Sequence, residues 1–181
     1  MSRVDASSAE CLVFTFKEGL LAAVAHDLKL RVTRFTVDVT DGGVSAEFAA
    51  DSLRVMHAMR DGREDAAALS DADRRKIERN IVEEVLAAGR YPTIRFSSTR
   101  VVKNPVGFEV SGELALHGQR RPLRVDVKAV GSRFVAEVVL HQPDFGIKPY
   151  TAMLGALRIR PDVRIELSVP SAVSENAEQK S

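Results

Sequence analysis

The 181-residue chain is 45% hydrophobic and 28% charged, with 26 Lys and Arg against 25 Asp and Glu. This is the make-up of one ordinary globular domain, and balanced charge excludes a global basic field that would draw it to nucleic acid or an anionic membrane, so partners must be sought in local features. A lone cysteine, Cys11, excludes an internal disulfide framework, and no apolar run is long enough to span a bilayer.

Residues 1–10 carry Asp5 and Glu10 without an apolar core, so they are not read as a secretory signal and the chain is expected to be cytoplasmic. They are expected to form a flexible terminus ahead of one domain over residues 11–170. Phe14 and Phe16 open a first strand that reaches a loop near Lys17 to Gly19. Leu28, Leu30 and Val32 alternate with Lys29, Arg31 and Thr33, giving one apolar and one wet face. The phase slips at Thr33 and Arg34 and resumes with Phe35, Val37 and Val39, which predicts a bulge or bend. Asp41-Gly42-Gly43 is a hairpin signal, and Val44, Ala46, Phe48 and Ala50 carry the returning strand, extended by Leu53 and Val55. Met56 to Asp65 shows no period and reads as loop.

Ser70 offers an N-cap to an acidic first turn, and Ile77, Ile81 and Val85 recur at helical spacing. An amphipathic helix of about five turns is predicted, with Gly89 as C-cap and Pro92 beyond it. Its apolar stripe either closes one end of a barrel or packs on the outer wall. Strands resume with Ile94, Phe96 and Ser98, then turn at Lys103-Asn104-Pro105 into the long alternation of Phe108, Val110, Gly112, Leu114 and Leu116. His117-Gly118 turns into Leu123, Val125 and Val127, and Gly131-Ser132 turns into Phe134, Ala136, Val138 and Leu140. Phe145 lies in Pro143 to Ile147, a loop runs through Tyr150 to Gly155, and Ile159 to Val169 forms the closing strand. Residues 171–181 are polar and small and read as a flexible tail.

About eight antiparallel segments, with one helix inserted between strands, make an all-β fold that is either two packed sheets or one sheet closed into an eight-stranded, lipocalin-like barrel. Inward Phe, many small Val and Ala and no tryptophan leave space inside such a barrel.

Four stretches carry a resemblance to the YceI-like family of lipocalin-like, polyisoprenoid-binding proteins. They are Ala25-His26-Asp27-Leu28 with the strand to Phe35, Arg90-Tyr91-Pro92-Thr93-Ile94-Arg95-Phe96, Gly112 to Gly118 with Arg121-Pro122-Leu123, and Asp144-Phe145-Gly146-Ile147. In order and spacing the resemblance covers roughly residues 12 to 169. It implies an antiparallel barrel whose apolar tunnel takes a long isoprenoid tail, with no catalysis and no cofactor beyond such a lipid. The ligand-binding side chains expected are Phe14, Leu28, Leu30, Phe35, Phe48, Phe96, Phe108, Leu114, Phe134, Phe145 and Tyr150, the last as a polar group at the tunnel mouth. The competing reading is an interaction module with a filled barrel and no lipid. A two-fold homodimer through a sheet edge or the helix fits either reading.

Asp144-Phe145-Gly146 has no glycine-rich loop or catalytic-loop motif beside it, so kinase chemistry is excluded. The four histidines, His26, His57, His117 and His141, show no metal-ligand spacing. His26-Asp27 would relay protons only if both faced a pocket; otherwise His26 fixes the start of its strand by a local hydrogen bond. Cys11 lacks a neighbouring base.

Overall fold

The computed structural model describes residues 1–19 and 26–173. Residues 174–181, and Ala25 of the first family stretch, lie outside the described residues. The strands are β1 (Ser2–Asp5), β2 (Glu10–Thr15), β3 (Lys17–Glu18), β4 (Asp27–Val32), β5 (Phe35–Thr40), β6 (Gly43–Ala49), β7 (Leu53–Arg60) and β8 (Arg63–Asp65). After helix α1 (Asp71–Asn80) come β9 (Thr93–Asn104), β10 (Gly107–Leu116), β11 (Gln119–Val130), β12 (Arg133–His141), β13 (Thr151–Ala152), β14 (Leu157–Ile159) and β15 (Asp162–Pro170).

Twelve segments form one antiparallel sheet in the order β1-β5-β6-β9-β10-β11-β12-β15-β2-β4-β7-β8. Three consecutive pairs, β1 with β2, β4 with β5 and β6 with β7, are halves of single bent strands. Pairing of β15 with β2 therefore brings the last strand back onto the first. The sheet curls into the expected lipocalin-like barrel of eight long strands, with β8 as an added lip. A small second sheet, β13-β14-β3, sits at one end.

The predicted bend at Thr33 and Arg34 is the corner of this barrel. Ser52, 0% exposed, holds it. The Ser52 hydroxyl donates to the Ala49 carbonyl at 2.8 Å and accepts from the Arg34 N–H at 3.2 Å, while its own carbonyl accepts from the Thr33 N–H at 2.9 Å. A chain that turns a corner leaves the ladder and must satisfy its backbone elsewhere, and one buried hydroxyl does that here.

Outward faces carry cross-strand ion pairs such as Arg95 with Glu47 and Arg120 with Glu113. Exposed pairs of this kind contribute about 1 kcal/mol or less each, so the fold rests on its apolar inner face.

Several expectations are corrected. Residues 56–65 are not loop: β7 and β8 form a hairpin through Asp61-Gly62, whose φ values of +51° and +76° are those of a two-residue type I′ turn. The helix is shorter than five turns, with ten α-helical residues followed by a π-helical turn, Ile81–Val85. Ser70 does cap it, in a capping box with Asp73. Its end is set by Ala87, at φ +45°, rather than by Gly89. Near the N-terminus β1 pairs with β5, and Val173 is buried just beyond β15.

Three of the four family stretches meet at the β10–β11 turn. The Tyr91 ring packs on His117 with centroids 4.5 Å apart, His117 Nδ1 lies 3.3 Å from the Phe145 carbonyl, and Arg121 Nε donates to the Asp144 carbonyl at 3.0 Å. Tyr-Pro-Thr, His-Gly and Asp-Phe-Gly thus form a structural clasp that ties the β12–β13 connection to the β10–β11 turn.

Candidate functional site

An apolar cavity of about 1150 Å³ runs inside the barrel. It reaches from the Asp41-Gly42-Gly43 turn to helix α1, so it extends along the whole barrel. Its volume exceeds the ~300–1,000 Å³ usual for drug-sized ligands. The barrel is not filled, and the premise of the interaction-module reading fails. Small inward residues explain the space: Cys11 and Val13 on β2, Ala46 on β6, Val125 and Val127 on β11 and Ala136 on β12 line walls that bulkier side chains would close.

Eight of the sequence-predicted residues line this cavity: Leu28, Leu30, Phe48, Phe96, Phe108, Leu114, Phe134 and Tyr150. Phe108 and Phe134 meet edge to face at 5.4 Å. Three do not line it. Phe14 faces outward under the Arg164 guanidinium, 4.2 Å from its ring centroid. The inward face of β2 is Cys11, Val13 and Thr15. Phe35 is buried and stacks on Phe48 at 5.6 Å, forming part of the corner's packing. Phe145 is buried in the clasp, within a core cluster with Leu116 and Leu140.

The helix closes one end. Ile77, Ile81, Val85 and Leu86 turn their apolar stripe to the cavity, and Glu78 accepts from the Val55 N–H at 2.8 Å, anchoring the helix to the edge of β7. Polar groups gather at this end: Thr15, His26, Asn80, Gln142 and Tyr150. Asn80 Nδ2 donates to the Tyr150 hydroxyl at 3.1 Å, and the Thr15 Oγ1 is buried without a partner among the described residues. A periodic pattern finds the helix stripe but does not say which polar helix residue meets the cavity, so Asn80 was not predicted. His26 lines the cavity, while Asp27 turns away to accept from the Lys17 N–H at 2.8 Å. The two do not point into one pocket as a proton relay would require, and Asp27 ties the start of β4 to β3.

At the other end the cavity meets solvent. Val101, a lining residue, is 41% exposed there. Among the described residues no group of His, Cys, Asp or Glu is placed to hold a metal ion, and no helix is long and apolar enough to cross a membrane.

Cys11 lies in the wall, 2% exposed. Burial, reinforced by the Glu10 carboxylate, pushes its thiol up to about 12. The thiolate is the reactive form, so Cys11 is expected to resist a disulfide reagent at pH 8 in the native protein and to react fully once unfolded. A thiol-release assay checks this, and rapid native labelling would mean that the wall opens.

The YceI-like domain model matches residues 4–170. A UPF0312 protein of Vibrio cholerae is 34% identical over 76 residues, 36% of this chain and 40% of that protein. One of Yersinia enterocolitica is 39% identical over 49 residues, 27% of this chain and 26% of that one. These matches thus span less than half of the curated relatives. Among solved structures, Burkholderia cenocepacia BcnA superposes with a TM-score of 0.61 at 13% identity, covering 91% of this chain and 97% of that one. A polyisoprenoid binding domain from Saccharophagus degradans, implicated in plant cell wall breakdown, gives 0.54 at 11% identity, covering 89% and 95%. The Campylobacter jejuni YCEI protein gives 0.54 at 12%, covering 81% and 86%. At such identities the likeness is one of fold, and it agrees with the domain match over nearly the whole length. The chain belongs to the YceI-like family.

Proposed function

We propose that this protein binds and carries a long apolar lipid, of the polyisoprenoid or isoprenoid-quinone type, inside the barrel and without catalysis. The observation that carries the reading is the continuous apolar cavity of about 1150 Å³, with polar side chains confined to its two ends. A tail moved into it from water gains about 0.8 kcal/mol per buried methylene, so ten carbons supply roughly 8 kcal/mol before ordering costs. Affinity then comes from length, and the end groups select orientation. The Saccharophagus neighbour is described as a polyisoprenoid binding domain, which supports the same ligand class.

Native mass spectrometry of the purified protein, followed by organic extraction, tests the proposal. A single isoprenoid bound per chain is expected, and stripped protein should take up added quinones or polyprenols with affinity rising as the tail lengthens. Saturating ligand should also raise the melting temperature, since binding at a hundred times Kd adds about 2.7 kcal/mol. Protein that carries nothing and takes up neither class would refute the carrier reading.

A further inference from the structure

The open end of the barrel has a surface that the carrier reading leaves unexplained. Of the seven large apolar side chains left exposed among the described residues, three are on this rim: Val101 at 41%, Val106 at 62% and Val130 at 58%. Val106 is in the β9–β10 turn and Val130 ends β11, and the two tips are bonded together, the Ala129 N–H donating to the Val106 carbonyl at 2.9 Å. They form one apolar ridge beside the mouth.

Cations flank that ridge. Lys103 lies opposite Phe108 in the ladder, on the cavity face at its very end, and Lys128 lies opposite Gly107. Arg133 is opposite Val130, its guanidinium held by Ser168 at 2.6 Å. Arg100 is exposed on the same strand as Lys103. The acidic groups nearby are Asp41 on the β5–β6 turn and Asp126 on β11, while Glu109 is tied to Arg124. Neither Lys103 nor Lys128 has an ion pair among the described residues, so the rim is positive although the chain as a whole is nearly neutral.

We infer that this rim docks the barrel mouth-down on an anionic lipid bilayer, with Val106 and Val130 entering the headgroup region and Lys103 and Lys128 facing lipid phosphates. Apolar tips flanked by cations match the two components of such a surface, a hydrocarbon boundary under a negatively charged layer. The geometry places the cavity's open end against the compartment in which long-tailed lipids dissolve, so cargo passes between bilayer and barrel without crossing water. Docking needs no cargo, so it stands or falls separately from the carrier reading.

Co-sedimentation of the stripped protein with vesicles is the test, using phosphatidylcholine alone and phosphatidylcholine mixed with phosphatidylglycerol. Binding to the mixed vesicles is expected, with little to the neutral ones, and high salt should weaken it. The K103E/K128E variant should partition at least about 30-fold less, because each cation near an anionic surface contributes about fivefold and the new carboxylates are repelled by it. V106E/V130E should lose at least about tenfold. All four positions are on exposed or half-buried turns and strand ends, and melting curves will show that these variants fold. L154E is the control: Leu154 is fully exposed too, but it is on the β13–β14 hairpin at the helix end. Wild-type protein that ignores anionic vesicles, rim variants that bind as wild type, or loss of binding in L154E alone would each overturn the inference.

Discussion

Replacing Phe108 by aspartate is expected to lower lipid uptake by a hundredfold or more while leaving the barrel folded. Phe108 is half-buried near the mouth and makes an edge-to-face pair with Phe134 at 5.4 Å. Loss of that pair costs about 0.5–1.5 kcal/mol beyond the area it covers, and a carboxylate at the mouth can still turn to water. Its ladder neighbour Lys103 would return under about 1 kcal/mol as an exposed pair. A hydrocarbon tail filling the cavity has to strip that water away, and an ionised group without compensation costs several kcal/mol to desolvate. Phe108→Leu keeps the apolar wall and should keep binding. The companion variant is Ala136→Phe, which adds a ring beside Val127 and Leu167 part-way along the cavity. It should exclude long tails and retain short ones, a change that a merely unstable variant would not produce. Uptake is read by titrating stripped protein with quinones of graded tail length, and equal binding by Phe108→Asp and wild type would mean that tails do not occupy this cavity.

Much of the fold was legible because strands write their burial with a period of two. Leu28-Leu30-Val32, Val37-Val39 and Phe108 to Leu116 point inward as the alternation says, and the phase slip at Thr33 and Arg34 marks the true corner. Phe14 misled for a physical reason: the one aromatic of β2 is on its outer face, where Arg164 covers it, and the inner face is the smaller Cys11, Val13 and Thr15. Size alone therefore chose the wrong phase. Phe35 and Phe145 were expected to line the cavity and are buried behind it instead, because burial has two destinations in a hollow barrel, the cavity wall and the packing behind it, and periodicity does not separate them. The β7–β8 hairpin was missed although Asp61-Gly62 announces it, because the β4–β7 ladder slips at Met56 and only Ala58 of Met56 to Arg60 is fully buried, so no alternation shows. The polar groups at the helix end come from β2, α1 and two loops, so only the folded chain brings Thr15, Asn80, Gln142 and Tyr150 to one cavity.

At Gly112 a single added methyl should disturb the barrel itself. The β9–β10 ladder shifts register between Ser111 and Gly112, which leaves an extra residue, Thr99, on β9. A Cβ added at Gly112 would stand 2.3 Å from the Ser97 carbonyl oxygen and 2.8 Å from the Ser98 Cα, both backbone atoms that no rotamer can move. The third neighbour is the Phe96 ring, at 2.7 Å, whose only retreat is into the cavity it lines. Overpacking of this kind costs about 1–3 kcal/mol, so Gly112→Ala should lower the melting temperature by several degrees, and Gly112→Val by more. Gly89→Ala is the matched control, since an added Cβ there meets nothing within 4 Å and its φ is not positive. It should be neutral or slightly stabilising through the unfolded chain's lost freedom. Because Phe96 is displaced inward, the surviving Gly112→Ala protein should also accept shorter tails than wild type. A variant with unchanged melting and unchanged tail preference would mean that Gly112 is not what makes room for Phe96 in the cavity wall.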